Sequence, residues 1–287
     1  MQVFDRSWVL GFLISAIALS ATAQEQDFID AITSSQKVQA AGGGQRNQQK
    51  KDLVIAVSSA AYGDQINMGL KPILERRGYK IRVQDIAAGS AANAALGQGQ
   101  VDADLVQSTA QLNRATADGK LKLSEVVRFP TAPAGIYSRR FRMLTDLKEG
   151  ASVAVPSEAY QQGRALRLLE QMGWIKLRDG ADPVWASDRD ITANAKKIRL
   201  VPYDTAAISR TLDGSDFVVA DGQVAWSAGL KLNEALVLEK TQGQHLTTLV
   251  VRSEDKDKPW VKDLVEAAKS REFLATADRY FSGFVRP

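Results

Sequence analysis

The stretch VAVPSEAYQQGRALRLLEQMGW (Val153–Trp174) places a lone arginine, Arg164, in what reads as the first turn of a helix. An apolar run ends at Pro156, a polar turn follows, and the helix begins. A helix N-terminus presents unpaired N–H groups and a partial positive charge, so a cation there disfavours the helix unless an anion joins it. A guanidinium takes a carboxylate through two parallel N–H bonds, and the helix start offers further donors. Capture of a small carboxylate is one reading of Arg164. On spacing alone, a solvated arginine in a surface ion pair, worth about 0–1 kcal/mol, is the preferred reading.

Asp221 and Gln223, in "DGQ", are the next candidates. An ionised aspartate only accepts hydrogen bonds, which suits a ligand ammonium, with Gln223 bonding beside it. Asp221 also reads as a turn residue ahead of Gly222. Asp104, Glu158 and Asp221 supply carboxylates for acid–base work, but their spacing does not require a pair. The chain has no cysteine and one histidine, His245. That excludes disulfides, thiolate metal sites and cysteine nucleophiles, and leaves a zinc site without its usual partners. No G-x-S-x-G accompanies His245, which reads as a strand-edge residue. No metal or cofactor is expected, and the chemistry points to binding, not catalysis.

The elements that must hold these residues alternate strand and helix. "LVIAV" (Leu53–Val57) is a strand. The next run sets Ile66, Leu70, Ile73 and Leu74 on one helical face and stops at Gly78. "KIRVQDI", "VDADLVQS", Ser152–Val155, "KIRLVPYD", "DFVVAD" and "HLTTLVVRS" read as further strands. In the Arg164 helix, Ala165, Leu168, Leu169 and Met172 form the apolar face. "PWVKDLVEAAKSREFLATADRYF" reads as one final amphipathic helix. The fold class is α/β, with two lobes of mostly parallel sheet and a ligand cleft where strand ends and helix starts converge. Lobe I takes residues 52–146 and 240–287, and lobe II residues 147–239. Tyr137 and His245 both fall in lobe I.

The 287 residues are 45% hydrophobic and 24% charged, an ordinary globular composition. The net charge is +4, with acids and bases interleaved, so no basic stripe for nucleic acid is present. Residues 1–23 read as a secretory signal: Arg6, the apolar run WVLGFLISAIALS, and Ala21–Ala23 as cleavage site. The apolar run falls short of the ~20 residues that span a bilayer comfortably. Residues 24–51, rich in glutamine, lysine and glycine, read as a flexible leader. A soluble periplasmic protein is expected, the alternative being an inner-membrane anchor formed by an uncleaved signal.

"DLKEGASVAVPSEAYQQGRALRLLEQMGWIKLRDG" (Asp146–Gly180) resembles the methionine-binding lipoprotein family, the MetQ/NlpA-type substrate-binding components of ABC importers. "QVDADLVQS", "AGIYSRRF", "SDFVVADGQVAWSAGL" and "VVRSEDKDKPWVKDLVEAAKS" extend the resemblance from about Asp52 to the C-terminus. It implies a two-lobed periplasmic binding fold that closes on its ligand, and a transporter permease as partner. It implies that Arg164 grips a ligand α-carboxylate; Asp221, Gln223, Tyr137, Ser108 and Gln107 are taken as further candidate binding residues beside it. Tyr137 matches the family's tyrosine but also suits core or hinge packing.

The pattern departs from the family elsewhere. An aromatic near Gly89, a phenylalanine at Val106, a histidine at Ser108 and a tyrosine at Gln111 are all replaced. "N-x-N" has become Asp221–Gln223, and the cysteine that carries the family's lipid is missing. The expected function is that of a periplasmic solute-binding protein of an ABC importer. Its ligand would be methionine or another small, zwitterionic, amino-acid-like molecule, bound by a monomer. A ligand-sensing receptor of the same fold is the alternative, with a periplasmic enzyme behind it.

Overall fold

The structure is a computed structural model that describes residues 50–287; the signal (1–23) and the leader through residue 49 lie outside the described residues. Lys50 and Lys51, expected at the end of the flexible leader, are instead docked. Lys50 pairs with Asp102, and the Lys51 ammonium lies 3.8 Å from the Tyr79 ring centre.

Twelve strands are described: β1 (Asp52–Val57), β2 (Lys80–Asp85), β3 (Ala103–Ser108), β4 (Leu123–Arg128), β5 (Gly135–Tyr137), β6 (Ser152–Pro156), β7 (Lys176–Leu177), β8 (Ile191–Ala193), β9 (Arg199–Tyr203), β10 (Phe217–Ala220), β11 (Val237–Leu238) and β12 (Thr247–Arg252). The first sheet has the order β2-β1-β3-β12-β4 and the second β11-β5-β10-β6-β9. In each, the β-α-β strands pair in parallel, β1 with β2 and β3, β6 with β9 and β10. Strands that return from the other sheet add antiparallel pairings: β12 with β3 and β4, and β5 with β10 and β11.

Each sheet has its own core, because β-α-β crossovers lay helices on the sheet faces. In the first lobe, helix α1 (Ala60–Asp64) widens into a π-helical segment (Gln65–Leu70) and continues as α2 (Lys71–Glu75). The predicted face Ile66, Leu70, Ile73 and Leu74 is buried against β1, Trp260 and Phe273. Helices α3 (Ser90–Gly97) and α4 (Thr109–Thr116) flank β3. In the second lobe, α5 (Ala159–Gln171) buries Ala165, Leu166, Leu168 and Leu169 against β6 and β10. Burial of each leucine contributes about 1.5–3 kcal/mol. Helices α6 (Ile208–Gly214) and α7 (Gly222–Ser227) follow β9 and β10.

Two expectations change. Tyr137 does not belong to the first lobe. β5 pairs with β10 through Val218↔Tyr137, so the chain has crossed to the second sheet before residue 135 and not near Asp146. The crossing runs through Pro130 and Pro133, which donate no ladder bonds, between the end of β4 at Arg128 and the start of β5 at Gly135. The C-terminal helix is two, α8 (Pro259–Lys269) and α9 (Arg271–Tyr280). Ser270 divides them with extended backbone, and its hydroxyl accepts from Phe273 N at 3.1 Å, capping the second helix.

Candidate functional site

The C-terminal ends of the parallel strands bring the polar residues of both lobes to one edge. From the first lobe come Gln107 and Ser108 at the end of β3, and Thr247 at the start of β12, in register with Ser108. From the second come Tyr160 and Arg164 on α5, and Asp221 and Gln223 where β10 turns into α7. Glu239 and His245 lie on the segment that returns to the first lobe. These side chains, Glu239 apart, with Tyr62, Val106, Gln111 and Thr131, line a cavity of about 10 Å³ between the lobes. Glu239 and His245 face a second cavity of about 230 Å³ on the outer side of Arg164, which Arg167 and Lys240 also line.

Close packing fixes the two helices that carry the charges. A Cβ on Gly163, the residue before Arg164, would lie 2.1 Å from Val184 O, and one on Gly222 2.3 Å from Pro133 O. Any side chain at either position would push α5 off the 184–186 loop, or the start of α7 off the crossing strand. Arg164 lies in the second turn of α5, not the first as the sequence suggests, because the helix begins at Ala159. Its guanidinium is only 6% exposed. Nη2 and Nε donate to Glu239, the latter at 3.3 Å, and Nη1 donates to Asp221. Three of the five guanidinium N–H groups are thus directed at the chain's own carboxylates, and two remain on the terminal nitrogens.

Each carboxylate has a second attachment. Asp221 Oδ1 accepts from Gln223 N at 3.1 Å, capping α7, as the turn reading of Asp221 expects. Glu239 Oε1 accepts from Ala134 N and Thr241 Oγ1, each at 3.1 Å. Burial works against the Arg164 charge, yet the two acids outweigh it and hold the guanidinium more firmly protonated than usual. Burial also pushes the Asp221 carboxyl up, with Arg164 opposing it and Glu239 adding to it. At Glu239 the same burial is overcome by Arg164, and its carboxyl sits below the usual range. Against burial, Glu239 has the charge and hydrogen bonds of Arg164 and the bond from Ala134 N, whereas Asp221 has Arg164 against both burial and the neighbouring Glu239.

The remaining wall is neutral. Tyr160 OH and His245 Nδ1 lie 3.0 Å apart, and burial lowers the His245 imidazole to about 4, so it is uncharged at neutral pH. Thr247 Oγ1 donates to Tyr62 OH at 2.7 Å. Ser108 caps α4 through a reciprocal pair with Gln111, Gln111 N to Ser108 Oγ at 3.3 Å and Ser108 N to Gln111 Oε1 at 3.0 Å. Gln107 Nε2 donates to Asn93 Oδ1 at 2.8 Å and Asp104 Oδ1 at 3.3 Å. A larger groove of about 620 Å³ opens beside the cavity and shares Gln223 with it. Its walls are Ser58, Ser59, Ala87 and Ala88 from the first lobe, and Glu158, Gln161, Thr205, Ser209 and Val224 among those from the second.

Of the six residues expected to bind ligand, five meet at this cavity: Arg164, Asp221, Gln223, Ser108 and Gln107. Tyr137 does not line it. Its ring packs in the second-lobe core with Ala154, Tyr203 and Val218, since its strand belongs to that sheet. Sequence reading passed over Tyr62, Tyr160, Glu239 and Thr247, and took His245 for a strand-edge residue only. Tyr160 carried a signal: it is four residues before Arg164 and so shares its helix face. Glu239 carried none, for its role depends on the return crossing. Trp226 packs against Phe284 and Phe281, with ring centres 5.1 and 5.7 Å away.

Two lobes joined by crossing strands, with charged helix ends turned inward around a cavity, define a substrate-binding protein of the periplasmic type. Residues 53–287 match the NlpA lipoprotein family, and the chain belongs to it. The D-methionine-binding lipoprotein MetQ of Salmonella typhi is 28% identical over 246 residues, covering 85% of this chain and 90% of that protein. A periplasmic substrate-binding protein of an ABC transporter from Coxiella burnetii superposes with a TM-score of 0.74 at 29% identity, over 82% of this chain and 100% of the other. A nutrient-binding protein from Burkholderia cenocepacia, solved bound to methionine, gives 0.73 at 30% identity, over 81% and 98%. The family consists of substrate-binding proteins, not enzymes.

Proposed function

We propose that this protein is the periplasmic solute-binding component of an ABC importer. It holds a small amino-acid-like zwitterion, methionine or a relative of it, between lobes I and II and delivers it to the transporter permease. The observation that supports this most is Arg164, buried at the interlobe cavity with N–H groups left over after its own acids are served. The ligand carboxylate takes the edge formed by Nη1 and Nη2. Asp221, bound there through one N–H, swings to the ligand ammonium, while Glu239 stays on the Nε edge as counter-ion. Gln223, Gln107 and Ser108 complete the polar wall.

Because none of the family's pocket rings is present at Gly89, Val106, Ser108 or Gln111, affinity for methionine itself falls below that of ring-bearing relatives. Each lost aromatic contact removes about 0.5–1.5 kcal/mol. Among the described residues no helix is long and apolar enough to cross a membrane. We place the protein in the periplasm as a monomer. Titration calorimetry with the standard amino acids tests the reading. Saturable one-to-one binding that Arg164→Ala abolishes is expected, and turnover without stoichiometric binding overturns it in favour of an enzyme.

A further inference from the structure

We infer that the ligand carries a second cationic group besides its α-ammonium, as basic amino acids do, and that Glu158 receives it. This rests on the proposed function and narrows the class of substrate at the same site. Three helix starts of the second lobe belong to this region, and each already has its own acid: Glu158 before α5, Asp204 before the turn into α6, Asp221 before α7. Helix N-termini favour anions, but here the chain itself supplies them. Asp204 Oδ1 accepts from Ala206 N at 2.9 Å and Asp221 Oδ1 from Gln223 N, whereas the Glu158 side chain caps nothing. Its oxygen accepts instead from Thr205 Oγ1 at 3.3 Å, and it has no ion pair among the described residues.

The groove that adjoins the cavity points the same way. Glu158 is the one charged side chain in its lining, and no aromatic or methionine side chain is there to receive an apolar tail. Ser58 Oγ, Ser59 Oγ and Gln223 Oε1 are buried without hydrogen-bond partners, and all three residues line it. The Gln223 carbonyl oxygen accepts only and the serine hydroxyls can accept as well as donate, so these unpaired oxygens beside a lone carboxylate can receive an ammonium or guanidinium on a flexible stem. Arg167 and Lys240 lie with Glu239 on the outer side of Arg164, away from this groove. A zwitterion held at Arg164 and Asp221 would send its side chain past Gln223, which borders both spaces.

The test compares probes that differ by one charge. The protein expressed as its full chain is titrated calorimetrically with lysine, ornithine and arginine, and with norleucine and methionine as uncharged counterparts. At least one basic probe should bind roughly tenfold or more tighter than norleucine, the range of a hydrogen bond to a charged group. Glu158→Gln should erase that ratio without weakening norleucine. Norleucine or methionine binding as tightly as every basic probe, or a ratio that survives Glu158→Gln, overturns the inference and leaves the proposed function standing. If no amino acid binds, or binding ignores Arg164→Ala, the proposed function itself fails.

Discussion

Arg252 in the first lobe and Arg164 between the lobes are assembled from similar parts, a guanidinium beside two buried acids, part-buried at Arg252 and buried at Arg164. Arg252 Nη2 lies 2.6 Å from Asp255 and 3.8 Å from Asp102, as Arg164 lies against Asp221 and Glu239. They differ in where the other N–H groups go. Arg252 Nη1 donates to the carbonyls of Leu96 and Val101 at 3.0 and 2.9 Å, tying the end of α3 and the approach to β3 to β12. Every partner of Arg252 lies in its own lobe. Arg164 sits on a second-lobe helix, takes Glu239 from the returning segment, and borders two cavities. Burial and ion pairing alone therefore do not mark a binding arginine. Unassigned donors at an interlobe cavity do.

This contrast predicts effects of different kinds. The largest is on binding: Arg164→Ala should lower ligand affinity at least a hundredfold, about 3 kcal/mol, in calorimetric titration. Arg252→Ala should instead cost about 1–3 kcal/mol of stability in urea unfolding, because the bonds to the Leu96 and Val101 carbonyls are lost while Lys50 and Lys258 remain on Asp102 and Asp255, and the folded fraction binds ligand with unchanged affinity. Equal binding losses in the two variants would erase the distinction.

Asp104 sharpens the comparison, being a buried acid beside the site with no ion pair among the described residues. Burial pushes its carboxyl up to about 7, and the bond from Gln107 opposes this. A native pKa above the unfolded value means that the folded state binds the extra proton between about pH 4 and 7. Stability from this group is then complete below pH 4 and declines as pH rises to about 7, by on the order of 2–4 kcal/mol. Asp104→Asn should flatten that slope in pH-resolved thermal melts, and an unchanged slope would remove Asp104 as its source. His245 acts oppositely. Its imidazole is held neutral to about 4, so its contribution falls as pH drops from about 6.5 to 4. His245→Gln should lessen acid destabilisation in that window.

The smallest effect concerns the contact between lobes. The Arg114 guanidinium lies 4.2 Å from the Trp185 ring centre, and Trp185 lies 5.5 Å from Tyr160. A cation–π contact at such a site contributes about 0.5–1 kcal/mol. Arg114→Ala should weaken ligand affinity two- to fivefold and alter the tryptophan fluorescence change on titration. A fluorescence response identical to that of the parent would show that this contact does not follow closure.

Most of the scaffold was legible from local signals. Strands β1, β2, β3, β6, β9, β10 and β12 and the buried face of α1 and α2 follow from periodicity and glycine stops, since those are properties of neighbouring residues. The return near Lys240 was legible, but the first crossing was not. The extended run through Pro130 and Pro133 has no marker for where one sheet ends and the other begins, and Tyr137 was misplaced with it. Arg164, Asp221 and Gln223 could be proposed from their chemistry and family resemblance. That Asp221 and Glu239 would already stand on Arg164 could not, because those contacts join residues 57 and 75 positions apart. Ser108 shows the converse: its place in the family pattern suggested a ligand contact, and locally it caps α4.

Native mass spectrometry of the protein released gently from cells, beside its Arg164→Ala variant, tests the central claim most directly. The account predicts a one-to-one adduct of amino-acid mass on the parent protein and none on the variant, with both folded by circular dichroism. An adduct retained undiminished by Arg164→Ala would contradict it.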